Sequence, residues 1–331
     1  MQPLTRRLLN DYQREFPLNP EPFDRLAREL DTSPEDLLAH LRELQISGVV
    51  SRIGPVFRPN TIGASTLAAM AVPPAELERI AALVNRFPQV NHNYEREHRY
   101  NLWFVLTAEH TRAITTTLDE IRRLSGYDVM SLPLVRDYHI DLGFHMRLDH
   151  PAGHSAVTGA TQTTATTPDN PSQTGSAEDL IAAIQDGLPL VPRPYQAIAE
   201  RIGCAEAEVI ERLQDMLERG VIKRLGVVVR HHELGYRANA MVVWDIPDDR
   251  VETVGLQLGD QDCVTLCYQR PRRLPDWRYN LFCMVHGHDR NEVLACIDRV
   301  AAALGIEAIP HEVLFSGRRF KQRGAYYRMP R

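Results

Sequence analysis

Residues 48–54 read GVVSRIG, and residues 220–226 read GVIKRLG, 172 positions further along a chain of 331 residues. Residues 16–23 (FPLNPEPF) recur at the same offset as residues 188–195 (LPLVPRPY). Two matches at one offset indicate an internal duplication. The sequence therefore predicts two tandem copies of one fold, which we call the first and the second repeat.

Each repeat opens with three predicted helices, which in the first repeat cover residues 4–15, 22–30 and 34–45. In the third helix, leucines at helical spacing between Leu37 and Leu44 are typical of a face turned to the core. A strand pair, residues 49–53 and 56–58, is predicted to follow. Helices and strand pair together predict a winged helix-turn-helix.

The remainder of the first repeat predicts a second kind of module. Strand and helix patterns alternate as strand, helix, two strands, helix and strand, over 65–72, 74–87, 89–98, 100–107, 110–125 and 128–144. This βαββαβ order is that of a ferredoxin-like sheet with helices on one face. The predicted fold class is α+β, with two tandem repeats that each contain a winged helix-turn-helix followed by a ferredoxin-like domain.

Domain boundaries follow from this pattern. We predict winged helices over 1–62 and 178–234, and ferredoxin-like domains over 63–149 and 235–331. Between the repeats, residues 150–177 are rich in Thr, Ser, Gly, Ala and Pro and contain almost no large apolar side chains. Such a segment cannot bury enough surface to offset its ordering entropy, so it is predicted to be a flexible linker.

Composition limits the classes of function. The chain is 44% hydrophobic and 24% charged with a net charge of −5, which does not suit a protein that lives on nucleic-acid phosphates. No apolar run is long enough for a membrane span, so we expect a cytoplasmic protein without a membrane partner. The five cysteines are odd in number and form no C-x-x-C pair, so we expect buried structural cysteines and no metal site.

Residues 91–98, NHNYEREH, form the segment richest in chemistry. In a strand, His92, Tyr94, Arg96 and His98 share one face, and the opposite face is also polar. Two imidazoles, a phenol and a guanidinium on one face could bind and protonate an anionic ligand. An exposed edge strand with satisfied polar side chains explains the same pattern, and the strand alone does not decide between the two.

The second repeat retains only part of this segment. Tyr268 and Arg270 match the tyrosine and arginine, whereas Leu266 replaces the first histidine and Trp277 lies in the region of the second. This difference favours ligand contact in both repeats with acid–base chemistry in the first. Drift of the histidine pair is the alternative.

Cationic clusters end both repeats. The first contains Arg136 and His139, and the second contains Arg318, Arg319 and Lys321, followed by Arg323. Such runs usually form a solvated face. If the last cluster lies on a strand, Arg319, Lys321 and Arg323 share one face, which could hold several carboxylates.

A winged helix followed by a ferredoxin-like sheet resembles the Lrp/AsnC transcription regulators. However, the predicted recognition segments, 31–46 and 203–220, are acidic, and negative charge repels DNA. Segments 91–98 with 100–104 (YNLWF), and 267–272 (CYQRPR) with 276–282 (DWRYNLF), closely resemble the siroheme decarboxylases. The first repeat resembles the NirD type and the second the NirL type, and only the linker is left uncovered.

The resemblance implies a carboxy-lyase that removes carbon dioxide from the C12 and C18 acetates of siroheme. The product is 12,18-didecarboxysiroheme, used for heme d1 or for siroheme-dependent heme. Siroheme is then substrate and not cofactor, and no further cofactor is expected because the reaction is redox-neutral. Expected partners are siroheme, its product and other heme d1 enzymes, without DNA.

The resemblance also implies roles for residues. His92 or His98 would protonate carbon, Tyr94 and Tyr268 would orient groups, and arginines would pair substrate carboxylates. The predicted catalytic residues are His92, Tyr94, Arg96 and His98. The predicted substrate-binding residues are Arg136, His139, Tyr268, Arg270, Trp277, Arg318, Arg319 and Lys321.

The expected assembly is an intramolecular pseudo-dimer whose two sheets form the ligand cavity, with further oligomerisation left open. The alternative functions are a tetrapyrrole-responsive regulator of the Lrp/AsnC type and a non-catalytic heme chaperone.

Overall fold

The computed structural model describes residues 3–59, 61–140, 177–229 and 238–327. Of the predicted linker, only Ala177 lies within the described residues, as the first residue of a helix. The α+β class with two repeats is confirmed. Helical bounds differ from the predictions by a few residues, mainly at frayed ends.

The N-terminal modules of the two repeats have matching elements. In the first repeat they are α1 (Pro3–Asp11), α2 (Pro22–Glu29), α3 (Pro34–Ile46) and β1 (Val50–Phe57). In the second they are α6 (Ala177–Ile184), α7 (Pro194–Ile202), α8 (Glu206–Glu218) and β7 (Ile222–Val229). Their apolar faces form one core that both repeats share.

The predicted strand pair after α3 is wrong. A single strand, β1, runs through Gly54 and Pro55 and pairs antiparallel with β7 of the other repeat. A Gly-Pro pair is a common turn signal, but here pairing with a distant strand overrides that local preference. The two modules are therefore joined to each other through their strands.

The duplicated sequence motifs contact each other in this interface. Phe16 N–H donates to Leu225 O at 3.1 Å, and Leu188 N–H donates to Ile53 O at 2.7 Å. A Cβ added at Gly54 would lie 2.8 Å from Gly187 Cα, so only glycine allows this approach of the two backbones. The repeated motifs are thus the two halves of one pseudo-symmetric contact.

The ferredoxin-like modules follow. The first repeat contains β2 (Ala64–Met70), a 3-10 turn (Pro74–Glu76), α4 (Leu77–Asn85), β3 (Val90–Arg96), β4 (Leu102–Ala108), α5 (Thr111–Ser125), β5 (Met130–Pro133) and β6 (Arg136–Ile140). The second contains β8 (Ala238–Trp244), α9 (Val251–Gly259), β9 (Val264–Gln269), β10 (Leu281–Gly287), α10 (Arg290–Leu304) and β11 (His311–Gln322). The strands predicted within 128–144 correspond to β5 and β6, and residues 141–144 lie outside the described ranges.

Nine strands of the described ranges form one sheet, in the order β5-β2-β4-β3-β11-β8-β10-β9-β6. The last strand of each repeat crosses to the other repeat. β6 pairs with β9, and the end of β11, from Ser316 to Gln322, pairs with β3. We call this arrangement the strand exchange.

The sheet has two faces with different neighbours. On the inner face, apolar side chains from both repeats pack on one another, among them Leu67, Trp103, Met241 and Phe282. On the outer face, α4 and α5 cover the first repeat and α9 and α10 cover the second. The two halves of the sheet therefore face each other, as expected for a pseudo-dimer.

The cysteines of the second repeat are of two kinds. Cys267 and Cys283 are free and buried, whereas Cys263 and Cys296 form a disulfide between the start of β9 and α10.

Within the described ranges, none of the helices has the length and apolar character needed to cross a bilayer.

We expect Gly54→Ala to lower the free energy of unfolding by about 1–3 kcal/mol, because the new methyl group overlaps the Gly187 backbone. Urea unfolding followed by circular dichroism measures the change. Ser51→Ala on the same strand is the control and should stay within about 0.5 kcal/mol of the unaltered protein. Equal stability of the two variants would contradict the close-approach argument.

Candidate functional site

Strand β3 is an interior strand with polar residues on both faces. It pairs with β4 on one side and β11 on the other, so the exposed-edge alternative is wrong. Asn93 turns outward, where its Nδ2 donates to Ala81 O at 3.2 Å on α4. The alternation predicted from sequence holds for His92, Tyr94 and Arg96, which face inward between the two halves of the sheet, whereas His98 lies beyond the end of β3.

Arg96 contacts the second repeat. Its guanidinium is buried and donates to Ser316 Oγ at 2.6 Å and to Leu314 O at 3.2 Å, with Asn239 Oδ1 at 3.4 Å. Burial lowers the pKa of Arg96 to about 10, against the smaller opposite effect of Tyr268 and Tyr94. The arginine remains a cation at neutral pH.

Arg270 makes the corresponding contact in the other direction between the repeats. It is buried and donates to Leu132 O, the position that corresponds to Leu314 in the other repeat. Its guanidinium lies over the Tyr268 ring, 4.6 Å from the centroid, and burial lowers its pKa. Both arginines therefore hold a backbone carbonyl at the point where a strand crosses between repeats, a role that sequence reasoning missed.

Neither buried arginine has a carboxylate partner among the described residues. Their polar contacts are carbonyls, hydroxyls and amides, and their Nε atoms have no hydrogen-bond partner. Burying a charge without an opposite charge is costly. Two uncompensated cations on the inner face make it suited to a ligand with several negative charges.

His92 lies at one end of this inner face. Its ring stacks near Tyr94, with 6.1 Å between centroids. Burial and, to a smaller extent, the positive charge of Arg52 on β1 lower the pKa of His92 to about 4. The imidazole is therefore neutral at pH 7.

His98 lies two residues beyond the end of β3 and has different surroundings. Its Nδ1 accepts Tyr100 N–H at 2.9 Å, and its Nε2 lies 2.7 Å from Glu312 Oε2. Tyr279 OH donates to the other oxygen of Glu312 at 2.7 Å, and burial together with this bond raises the pKa of Tyr279 to about 12. With Nδ1 as acceptor, the proton of the neutral ring is on Nε2.

The two histidines do not share one location. The strand from His92 to Arg96 alone covers about 13 Å, and His98 lies beyond it. Glu312 was missed from sequence because only the strand exchange brings it to His98. Tyr279 carried a signal, since it matches Tyr100 in the duplicated Tyr-Asn-Leu segment.

Trp277 lies in an aromatic cluster where the two repeats meet. It is 1% exposed, and its ring centroid lies 5.6 Å from His98, 5.3 Å from Trp103 and 5.0 Å from Tyr279. It therefore packs on the predicted site residue His98 instead of lining open space.

The terminal cations lie elsewhere. Arg136 pairs with Glu252, and Arg318 pairs with Glu95, Nε to Oε2, at 2.6 Å, both outside the inner face. His139 lies against Gly259 of α9. The structure does not bring these predicted binding residues to the inner-face cluster, because carboxylates of neighbouring helices and strands engage the arginines at the surface.

The end of β11 does not form the predicted row of cations. Register shifts on either side of Arg319 interrupt the alternation. Arg319 donates to Gln322 Oε1 at 3.0 Å, whereas Lys321 Nζ donates to Asn85 O at 2.7 Å at the end of α4. Burial, and next the charge of Arg323, lower the pKa of Lys321 to about 8. The expectation of one shared face is wrong because β11 is bulged.

A surface cavity of about 560 Å³ lies beside α5 and contains none of the predicted site residues. It is lined by hydroxyl-bearing residues such as Thr111 and Ser131, together with Asp119. The inner-face cluster, by contrast, combines buried charge with titratable groups.

Comparison with known proteins shows which families this chain resembles. A model described as an AsnC-like ligand binding domain matches residues 62–139 and 233–321, and a siroheme decarboxylase NirDL-like HTH domain matches residues 5–50 and 178–223. The siroheme decarboxylase NirDL subunit of Paracoccus denitrificans is 43% identical, over 98% of this chain and 97% of that protein.

Solved structures agree. The crystal structure of the siroheme decarboxylase NirDL matches with a TM-score of 0.70 and 30% identity, over 98% of this chain and 94% of that one. The same enzyme in complex with an iron-uroporphyrin III analogue matches with a TM-score of 0.67 and 28% identity, over 98% of this chain and 93% of that one.

Fold and matches together define a fused pair of Lrp/AsnC-like repeats, each with a helix-turn-helix and a ligand-binding module. Within that class, the chain belongs to the siroheme decarboxylase family of the NirDL type. The resemblance inferred from the sequence is confirmed.

The lowered pKa of His92 predicts a pH dependence of stability. Because the folded state favours the neutral ring, the stabilisation is present above the ordinary pKa of 6.5 and is lost as the pH falls towards 4. We expect His92→Leu, which introduces the residue found at Leu266, to show a smaller loss of unfolding free energy between pH 6.5 and 4.5. Urea unfolding across this range tests it, with the exposed His288→Gln as control. Parallel curves for His92→Leu and the unaltered protein would contradict the assignment.

Proposed function

We propose that this chain decarboxylates siroheme at the C12 and C18 acetates and releases 12,18-didecarboxysiroheme for heme d1 or siroheme-dependent heme synthesis. Full-length similarity to siroheme decarboxylases supports the activity. The observation that carries the proposal is the pair of buried arginines, Arg96 and Arg270, that have no carboxylate partner on the inner face. A cytoplasmic location remains part of the proposal.

The charge of the ligand fits that observation. Siroheme carries eight carboxylates, and a carboxylate near a buried guanidinium offsets the cost of burying the cation. Tyr94 and Tyr268 lie within electrostatic range of Arg96 and add phenol groups for orientation. Carboxylates that are not cleaved would be held here while the scissile acetate is directed to a proton donor.

The chemical step is redox-neutral. The bond between the methylene carbon and the carboxylate carbon breaks, carbon dioxide leaves, and the electron pair stays on the methylene carbon, delocalised into the pyrrole. One proton then forms the methyl group, so each siroheme consumes two protons. No oxidant or reductant enters this balance, and we propose that no cofactor besides the substrate takes part.

Of the two candidate imidazoles, His92 suits proton donation better. Protonating His98 would place hydrogen on Nδ1, which already accepts Tyr100 N–H. His92 is neutral because of burial and the nearby Arg52. A substrate carboxylate next to Arg52 would offset the charge of Arg52 and favour the protonated His92 ring. Substrate binding itself would then supply the proton donor in its protonated form.

The winged helices are proposed to have a structural role instead of binding DNA. Arg42 of α3 donates to Leu190 O at 2.7 Å, which ties it to the other repeat. Arg212 on α8 and Arg219, directly after its last residue, pair with acidic residues of that helix. Cations that are already engaged contribute less to phosphate contact.

Anaerobic incubation of the purified protein with siroheme, followed by mass spectrometry of the extracted pigment, tests the activity. We expect a product lighter by two carbon dioxide units without any added cofactor. His92→Leu should lower the rate of forming this doubly decarboxylated product by about 10²-fold or more while still binding pigment, because a general acid is lost. Unchanged pigment mass with the unaltered protein would refute the proposed function.

Removal of a carboxylate anchor should act on binding. We expect Arg96→Gln to weaken siroheme binding by about 1.5–3 kcal/mol, since a buried charge-assisted contact is lost. Absorbance titration measures affinity, and circular dichroism checks that the strand exchange is intact. Arg318→Gln, at an exposed ion pair outside the inner face, is the matched control. Equal affinity of both variants would remove Arg96 from the binding site.

A further inference from the structure

The second repeat has its own imidazole on the inner face, on a different strand from the first. His286 lies on β10 after Phe282 and Met284, whose side chains pack on the inner face. Because side chains of a strand alternate, His286 turns to the same face. Its Nδ1 lies 3.0 Å from Thr265 Oγ1 on the neighbouring strand β9, which fixes the orientation of the ring.

His286 occupies nearly the place that His92 has in the first repeat. Leu266 corresponds to His92 by sequence and pairs with Met284 in the register of β9 and β10. His286 follows Met284 on the same face and stands diagonally across from Leu266, at roughly 7–8 Å. The imidazole missing from β9 is thus supplied by the adjacent strand.

Beside His286, polar contacts connect the neighbouring strand to a buried cation. His286 is the register partner of Asn239 on β8. Asn239 Oδ1 accepts from Ser316 Oγ and lies 3.4 Å from Arg96, and Ser316 Oγ accepts from Arg96 at 2.6 Å. Through the strand exchange, the arginine of the first repeat therefore stands beside the imidazole of the second.

These positions differ from the corresponding ones in the first repeat. When the sequences of the two repeats are aligned, Thr107 of β4 corresponds to His286 of β10, and Ser65 of β2 corresponds to Asn239 of β8. Thr107 Oγ1 donates to Tyr326 O at 2.8 Å, so the C-terminal segment contacts this position in the first repeat. Among the described residues, each repeat presents one inner-face strand imidazole of this kind, His92 or His286, from a different strand.

We propose that His286 donates the proton for one of the two decarboxylations, in a second centre that contains Arg96, Asn239 and Ser316. This inference rests on the proposed function. In the step, the bond to the departing carboxylate breaks, its electron pair remains on the methylene carbon, and the imidazolium proton moves to that carbon. Solvent then returns a proton to the neutral ring. Arg96 holds a neighbouring carboxylate of the same macrocycle.

Product analysis with full-length variants tests the proposal. His286→Leu should convert siroheme to a product lighter by one carbon dioxide unit, which accumulates, with the second loss slowed by about 10²-fold. His92→Leu should also stop after the loss of one carbon dioxide unit, and the variant with both substitutions should lose none. His288→Gln, an exposed imidazole two residues away, is the matched control and should give the doubly decarboxylated product at the unaltered rate.

Three results would overturn the proposal. The first is full conversion by His286→Leu at the unaltered rate. The second is loss of both decarboxylations in His286→Leu while siroheme still binds, because this would mean one shared centre. The third applies if His286→Leu does not fold. In that case the milder His286→Gln, shown to be folded by circular dichroism, would slow neither decarboxylation. If the unaltered protein leaves siroheme intact, the proposed function fails instead, which separates the two ideas.

Discussion

The reciprocal exchange of terminal strands is the constraint on which the structure depends. Each ferredoxin-like module lacks a partner for one strand until the end of the other repeat arrives, β6 beside β9 and β11 beside β3. Arg270 and Arg96 then bind the carbonyls of Leu132 and Leu314, where the strands begin to cross. Backbone pairing and buried side-chain donors thus fix the same geometry twice.

This constraint also explains why a polar strand can lie inside the protein. β3 would be a sheet edge in an isolated repeat, and its histidine, tyrosine and arginine would meet water. With β11 paired to it, the same side chains face the opposite half of the sheet, where low polarity makes charges interact more strongly. Assembly of the repeats and construction of the candidate site are therefore one event.

Much of this could be predicted from sequence because it is local or periodic. The duplication, the βαββαβ order and the faces of β3 all follow from spacing between nearby residues. The prediction failed where the partner is distant: β1 pairs with β7 instead of folding on itself, and the bulges of β11 separate Arg319 from Lys321. Glu312 gave no signal, since its relevance comes from neighbours on another strand.

The reciprocity of the exchange has a consequence for covalent fusion. A half-chain by itself would expose an unpaired strand edge, and the most similar edge available to it is that of a second identical half. Such a like-with-like pair would duplicate one set of catalytic groups and omit the other. Joining the halves in one polypeptide raises the effective concentration of the unlike partner. The covalent connection therefore favours pairing of the two different halves and also strengthens that pairing.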